Sequence, residues 1–365
     1  MKNGWQANSL GELCDVLDYK RKPITKRDRI AGEYPYYGAT GVLGHVEGYI
    51  FDEPLVLVGE DGAKWESGEN TAFAVEGKIW VNNHAHVLRP HRTKLLDNWL
   101  IYHLNHTDLT QFVSGLTVPK LNQRSLREIP IPVPPLPEQQ RIVGILDEAF
   151  EGLATAKANA EKNLHNARAL FDSHLQSVFA QRGEGWVKTT VDQISTNLDS
   201  KRVPITKSDR KSGEYPYYGA SGIVDYVEDY IFDDNTLLVS EDGANLLARS
   251  TPIAFSVSGK YWVNNHVHIL KFQNIATQRF VEFYLDSIKL DEYITGAAQP
   301  KLNQKALNSI PIPIPKSIEA QTQLVRSVES FQEETQRLES IYQQKLAALE
   351  ALKKSLLHQA FTGQL

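Results

Sequence analysis

Cysteine and methionine occur once each in this chain of 365 residues. The lone Cys14 has no partner within the chain, so an internal disulfide and a cysteine-built zinc site are both excluded. No stretch approaches the roughly 20 consecutive apolar residues of a membrane span, and no membrane insertion is expected. The opening residues, Met1-Lys2-Asn3-Gly4-Trp5-Gln6, lack a basic segment followed by an apolar core. No secretory leader is therefore expected, and a reducing cytoplasm fits the cysteine usage. An excess of positive charge is missing too: 39 Lys and Arg face 44 Asp and Glu, for a formal net charge of −5. That balance excludes a protein that coats nucleic acid over its whole surface. No GxxxxGK[ST] phosphate loop occurs, nor the Asn/Asp-Pro-Pro-aromatic tetrapeptide of amino-methyltransferases, so neither ATP turnover by that route nor methyl transfer is expected.

What is present is an internal repeat. Pro23-Ile24-Thr25-Lys26 returns as Pro204-Ile205-Thr206-Lys207, and the stretch from Gly32 to Thr40 returns from Gly213 to Ser221, a shift of 204 − 23 = 181 residues. The register holds at Glu60-Asp61-Gly62-Ala63 and slips by one at Val81-Asn82-Asn83-His84 against Val263-Asn264-Asn265-His266. It is restored at Pro119-Lys120-Leu121-Asn122-Gln123 against Pro300-Lys301-Leu302-Asn303-Gln304. A period this long means two whole domains rather than a solenoid of short units.

Each copy reads as mixed α/β. Tyr49 to Phe51, Leu55 to Val58 and Lys78 to Val81 are short β-favouring runs between Gly, Asp and Asn turn signals, while Trp99 to Leu104 and Phe280 to Leu285 suit helices. Alternating prolines over Ile129 to Pro135 and Ile310 to Pro315 cannot be helical and predict stiff extended spacers at the domain exits. Long proline-free stretches follow each. In the first, Ile142, Leu146, Ala149, Leu153, Ala156, Ala160, Asn163, Ala167 and Leu170 recur in steps of four and three. In the second, Leu324, Val328, Phe331, Thr335, Leu338, Tyr342, Lys345, Leu349, Leu352 and Leu356 do so. That spacing predicts two helices of about 60 Å pairing as an antiparallel coiled coil. The expected organisation is α+β: a recognition domain at 1–137, a helix at 138–182, a second domain at 183–317, and a helix with tail at 318–365, related by a pseudo-two-fold axis. Two similar heads so related suit the dyads of duplex DNA.

Candidate contact residues recur in both copies. Lys20, Arg21, Lys22, Lys26, Arg27 and Arg29 cluster with only Asp28 opposing them, and Lys201, Arg202, Lys207, Arg210 and Lys211 with only Asp209. Such clusters neutralise phosphate. Tyr36, Tyr37, Tyr217 and Tyr218 offer rings that serve either as contact surfaces or as core. Gly38 and Gly219 allow close backbone approach, and Thr40 and Ser221 add hydroxyls. Asn82, Asn83 and His84 with Lys120, Asn122 and Gln123, and likewise Asn264, Asn265 and His266 with Lys301, Asn303 and Gln304, carry groups suited to base edges. His84 with His86, and His266 with His268, could face one way on a strand but lack a third ligand. Asp61 with Glu76-Gly77-Lys78 has the form of a metal-dependent nuclease site. Its counterpart, Asp242 with Ser258-Gly259-Lys260, has lost the carboxylate, which argues against that chemistry.

Taken together, Pro35 to Gly41, Pro119 to Gln123, the proline-to-helix junction at 129–142 and the ending Ala360-Phe361-Thr362-Gly363-Gln364-Leu365 resemble the specificity subunit, HsdS, of type I restriction-modification systems. The likeness runs over essentially the whole chain. It implies a non-catalytic subunit whose two target recognition domains each read half of a bipartite duplex target, with helices setting the gap. It implies docking of two methyltransferase subunits that carry S-adenosylmethionine, and restriction subunits that use ATP and Mg²⁺, so no cofactor is expected in this chain. Family members commonly carry dissimilar recognition domains, whereas these are about two-thirds identical from Pro23 to Ala63, which implies a near-palindromic target. Leu43-Gly44-His45 against Val224-Asp225-Tyr226, and Lys64 to Glu69 against Asn245 to Ser250, are the differences that would make half-sites unequal. A modification-only or type IIB-like assembly, a stand-alone nuclease and a purely structural adaptor are the alternatives.

Overall fold

A computed structural model describes residues 5–115, 117–180, 182–296 and 298–365. The chain divides into two compact units, Met1–Glu161 with Gln343–Leu365, and Lys162–Tyr342.

In the first unit the strands are β1 (Gln6–Ser9), β2 (Cys14–Val16), β3 (Tyr34–Gly38), β4 (Gly41–Val46), β5 (Phe51–Asp52), β6 (Leu55–Gly59), β7 (Ala72–Val75), β8 (Lys78–Val81), β9 (Ala85–Pro90) and β10 (Pro130–Val133). Two four-stranded sheets result, in the orders β2-β9-β6-β7 and β4-β3-β8-β5. All ladders are antiparallel except β3 with β8. Strand β6 explains the layering. Val56 and Val58 join the core formed with the helix Asp97–His106, whereas Leu55 and Leu57, one residue out of phase, join the core with Phe51, Ile79 and Val81 of the second sheet. Because successive side chains point to opposite faces, a strand buried on both sides must be apolar throughout, and Leu55 to Val58 are fully buried.

The second unit repeats this order. Its strands are β11 (Trp186–Thr190), β12 (Ser195–Asn197), β13 (Ser212–Gly219), β14 (Gly222–Val227), β15 (Phe232–Asp233), β16 (Thr236–Ser240), β17 (Ala254–Val257), β18 (Lys260–Val263), β19 (Val267–Phe272) and β20 (Pro311–Pro315). The sheet orders are β12-β19-β16-β17 and β14-β13-β18-β15. Leu237 and Val239 face the core shared with the helix Ile275–Ser287, and Leu238 faces the other sheet.

The proline segments are extended but are not free spacers. Pro130–Val133 pairs antiparallel with β1, and Pro311–Pro315 with β11. Proline lacks a donor and so is confined to edge strands; each segment forms one strand of a two-stranded ribbon whose isoleucines, Ile131 and Ile312, fill the core. The following helices run Leu136–Ala180 and Ile318–Thr362. Gln139, fully buried, fastens the first: Nε2 donates to the carbonyls of Lys94 and Pro134, both at 2.8 Å, and Oε1 accepts from Leu96 N.

Within each unit the helix segments pair antiparallel. In the first, Arg141 Nη2 donates to the Leu365 carbonyl at 2.8 Å and Lys157 Nζ to Glu350 at 2.9 Å, while Ile142 and Leu146 share a core with Leu357 and Phe361. In the second, Arg168 reaches Glu339 at 2.9 Å, His174 lies 4.2 Å from the Phe331 ring, and Leu175 and Phe179 share a core with Val325 and Val328. Leu153, Leu324 and Leu349 are half-buried. Leu170, Leu338 and Leu352 depart from the expected seam, being 51%, 37% and 48% exposed. The contact stripe passes instead through Leu164, Ala167 and Phe171, which are less exposed than Asn163 and Leu170. One position of phase is enough to turn a side chain outward, since neighbouring residues differ by 100° around a helix.

Candidate nucleic-acid interface

Several candidate contact groups, Arg21 and Lys120 among them, meet in a buried ion network that is present in both units. In the first, His86 donates from Nδ1 to Asp18 at 2.6 Å and from Nε2 to the Leu121 carbonyl at 2.7 Å. Both ring nitrogens face acceptors, so the ring is held in orientation from both ends. Arg21 pairs with Glu60 and donates to the Ala85 carbonyl at 2.8 Å, and Lys120 Nζ lies 2.9 Å from Glu60. Burial acts to raise the Asp18 carboxyl, but the hydrogen bond and charge of His86, the Val87 amide and Arg21 together hold it below its ordinary value. The hydrogen bond to Glu60 raises Lys120. In the second unit His268 spans Asp199 and the Leu302 carbonyl, at 2.5 and 2.7 Å, and Lys301 lies 3.0 Å from Glu241. Arg202 pairs with Glu241 and the Val267 carbonyl. Asp199 and Glu241 are both held below their ordinary values, as burial is outweighed by His268 at Asp199 and by Arg202 and Lys301 at Glu241.

Asp18, Glu60 and His86, like Asp199, Glu241 and His268, could meet a metal ion by distance alone. The donor set is committed otherwise. Each pair of carboxylates is engaged by arginine, lysine and histidine, and the distal histidine nitrogen is turned to a backbone carbonyl. A buried set satisfied in this way acts as a rigid junction.

That junction joins the loops. The Leu121 amide donates to the Glu60 carbonyl, which straps Pro119 to Gln123 against the Glu60-Asp61-Gly62 turn, and Gln123 Nε2 reaches Asp18 at 3.1 Å. The basic loop is pinned separately. The Tyr36 hydroxyl accepts from Ile24 N at 3.0 Å and Trp80 Nε1 donates to the Lys22 carbonyl at 2.6 Å. Tyr217 with Ile205, and Trp262 with Val203, repeat these bonds.

The contact candidates therefore separate. Lys20, Lys22, Lys26, Arg27, Thr40, Asn83, His84 and Gln123 are exposed in the first unit, and Lys201, Lys207, Ser221, Asn265, His266, Lys301 and Gln304 in the second. Lys120 is half-exposed. His84 and His266 are each oriented by a carboxylate, Asp61 and Asp242. Others belong to the scaffold. Tyr36 and Tyr217 are 1% and 0% exposed, which fixes them as core residues. Tyr37 and Tyr218 are half-buried against Phe73 and Phe255. Asn82 and Asn264 are buried and accept from the His84 and His266 amides at 2.8 Å, shaping the turn. Asn122 and Asn303 cap short helices, accepting from Ser125 N and Ala306 N at 3.0 Å. Arg21 and Arg202 are spent within the network. Gly38 and Gly219 are buried, and a Cβ at Gly38 would meet Leu43 Cδ1 at 2.6 Å. Of the organising residues, Glu60 and His86 stood in the sequence as a repeated turn and a histidine without further ligands, and Asp18, which joins them, was overlooked; all three recur as Glu241, His268 and Asp199. Their signal was recurrence without an evident chemical motif.

The model of the type I restriction modification DNA specificity domain matches residues 2–163 and again 183–350. The chain belongs to this family. It is a type I specificity subunit with two copies of the domain. It is similar to the putative type I restriction enzyme specificity subunit S.HindORF215P of Haemophilus influenzae, 38% identical over 138 residues; the match covers 38% of this chain and 35% of that relative. Similarity to the MjaVIII specificity subunit of Methanocaldococcus jannaschii is 22% over 409 residues, covering 99% and 93%. A chain solved in work on complex assembly and conformational transition of the type I R-M system matches with a TM-score of 0.76 at 17% identity. That match covers 100% of this chain and 99% of the other, and so establishes the shared fold. The two specificity domains thus correspond to the repeat read from sequence, and each carries its own copy of the ion network.

Proposed function

We propose that this specificity subunit is the non-catalytic, DNA-reading and assembly component of a modification or restriction enzyme. Each domain reads one half of a bipartite, near-palindromic duplex target. The observation that carries the reading is the duplicated surface: the basic loops, with Lys20, Lys22 and Lys26 and with Lys201 and Lys207 exposed, are tied to the exposed Asn83-His84 and Asn265-His266 turns by Arg21 and Arg202, which reach the Asn83 and Asn265 carbonyls at 3.4 Å. Lysines supply sequence-independent attraction to phosphate, and the asparagine and histidine groups supply donors and acceptors at base edges.

The long helices dock two methyltransferase subunits. Support comes from large apolar side chains left in solvent, Leu170, Leu338 and Ile341 in one unit and Leu352 in the other. S-adenosylmethionine belongs to those partners, and ATP with Mg²⁺ to restriction subunits where these join, so this chain itself uses no cofactor. The test is the salt dependence of duplex binding by the assembled complex. Replacing Lys20 and Lys22 by alanine is expected to weaken all duplexes alike and lower the salt slope by about 1 per lost contact, whereas Asn83→Ala relaxes choice at one base. Binding unchanged by the lysine substitutions would refute the interface.

A further inference from the structure

The two specificity domains serve as an internal comparison, because a difference at a matched exposed position on a shared framework acts like a natural substitution. Two stretches differ most. Lys64 to Glu69 and Asn245 to Ser250 turn towards their own domains: Ser67 Oγ donates to the His106 carbonyl, and Arg249 donates to the carbonyls of Leu285 and Ile288. The other difference lies on β4 and β14, where Val42 to His45 are exposed, and Ile223, Val224 and Tyr226 likewise. Strand registers match, Gly44 standing opposite Tyr36 and Asp225 opposite Tyr217.

Across these tyrosines lie matched arginines. The Arg29 guanidinium sits 4.4 Å above the Tyr36 ring with Nε donating to the Ile24 carbonyl. Arg210 sits 4.5 Å above Tyr217 with Nε donating to the Ile205 carbonyl. The surroundings then diverge. Arg210 Nη1 donates to Asp225 at 3.2 Å, whereas among the described residues no carboxylate pairs with Arg29. The place of that carboxylate is held by Gly44, where an added Cβ would meet nothing within 4 Å, although the φ of +158° requires the strand to relax before it takes a side chain. Both arginines follow the exposed lysine of the basic loop by three residues, Lys26 and Lys207, and Asp225 feels the charge of Lys207.

We propose that Arg29 and Arg210 are matched specificity-determining residues and that the Gly44/Asp225 difference sets what each reads. Arg29 presents its free guanidinium edge to guanine, while Asp225 occupies Arg210 and offers a carboxylate acceptor in its place. A guanidinium edge pairs with guanine O6 and N7, and a carboxylate accepts from cytosine N4. The proposal rests on the reading that both domains bind duplex DNA.

The experiment is selection from a randomised duplex library by the complex assembled with its partner subunits, comparing the unaltered chain with Gly44→Asp, Asp225→Gly and Asp225→Asn. Gly44→Asp is expected to reduce a guanine preference at one position of one half-site by about tenfold, and Asp225→Gly to create such a preference in the other half-site by a similar factor. Asp225→Asn, which keeps the size and removes the charge, should follow Asp225→Gly in lowering cytosine-facing selection. Unchanged preferences at both half-sites, or uniform weakening at every position, would overturn the assignment while leaving DNA reading by the domains intact. An unaltered complex that selects no sequence at all would instead overturn the reading beneath it.

Discussion

Asp286 shows how a single residue tunes one domain relative to its copy. Its carboxyl accepts from the Ile253 and Ala254 amides, yet burial pushes it up to about 7 despite those bonds. The matched residue in the first domain is Asn105, whose amide both accepts from Ala72 N at 2.7 Å and donates to the Ala72 carbonyl at 2.9 Å. A carboxyl whose folded value lies above its unfolded value favours folding when protonated. Its contribution is fully present below about pH 4 and is lost as pH rises through about 7. Asp286→Asn is therefore expected to raise the melting temperature of the second unit at about pH 8 with little change at about pH 4, followed by thermal unfolding across pH; equal shifts at both would contradict the assignment. Cys14 is a second reporter. Burial pushes its thiol up to about 12, so alkylation at about pH 8 should be absent in the folded chain and complete after denaturation. In the ion network, His86→Ala leaves the Leu121 carbonyl without its histidine partner and takes one hydrogen bond from Asp18, which keeps Arg21, the Val87 amide and Gln123; the expected loss on denaturant unfolding is about 1–3 kcal/mol. At this scale the sequence was least informative. Tyr36 and Tyr37 are adjacent tyrosines, and only the strand's alternation decides which one enters the core; Asn122 has the same amide whether it caps a helix or meets a base.

Elements were read more readily, because periodicity is a property of a stretch. Strand β6, both domain helices and the two long helices lie where apolar spacing put them. Two features escaped. An alternating proline run is extended whether it is a spacer or an edge strand, and pairing with β1 or β11 depends on residues more than a hundred positions away. Heptad phase escaped because Asn163 and Leu164 fit steps of three or four equally well. The corrected phase has a measurable consequence. Leu146→Ala, in the core with Phe361, should destabilise the chain by about 2–5 kcal/mol, whereas Leu170→Ala on the open face should stay within about 0.5 kcal/mol. Loss of partner subunits by Leu170→Ala without loss of stability would support docking on that face.

For the molecule as a whole, duplication supplied the strongest signal, and it was visible in the sequence as two matched domains and two matched helices, to which the fold adds two matched ion networks. Among the described residues no helix is long and apolar enough to cross a membrane. What the sequence could not convey is which surface groups remain free once the networks have taken Arg21 and Arg202, since those arginines stand in the same basic runs as the exposed lysines. The most direct test of the central claim is co-purification of the tagged chain from its native cells, with the recovered complex challenged by a randomised duplex library. Recovery of a methyltransferase at about two copies per chain, with salt-sensitive selection of a split site, is the result expected. Recovery of the chain alone, inert towards DNA or cutting it with Mg²⁺ unaided, would contradict the account.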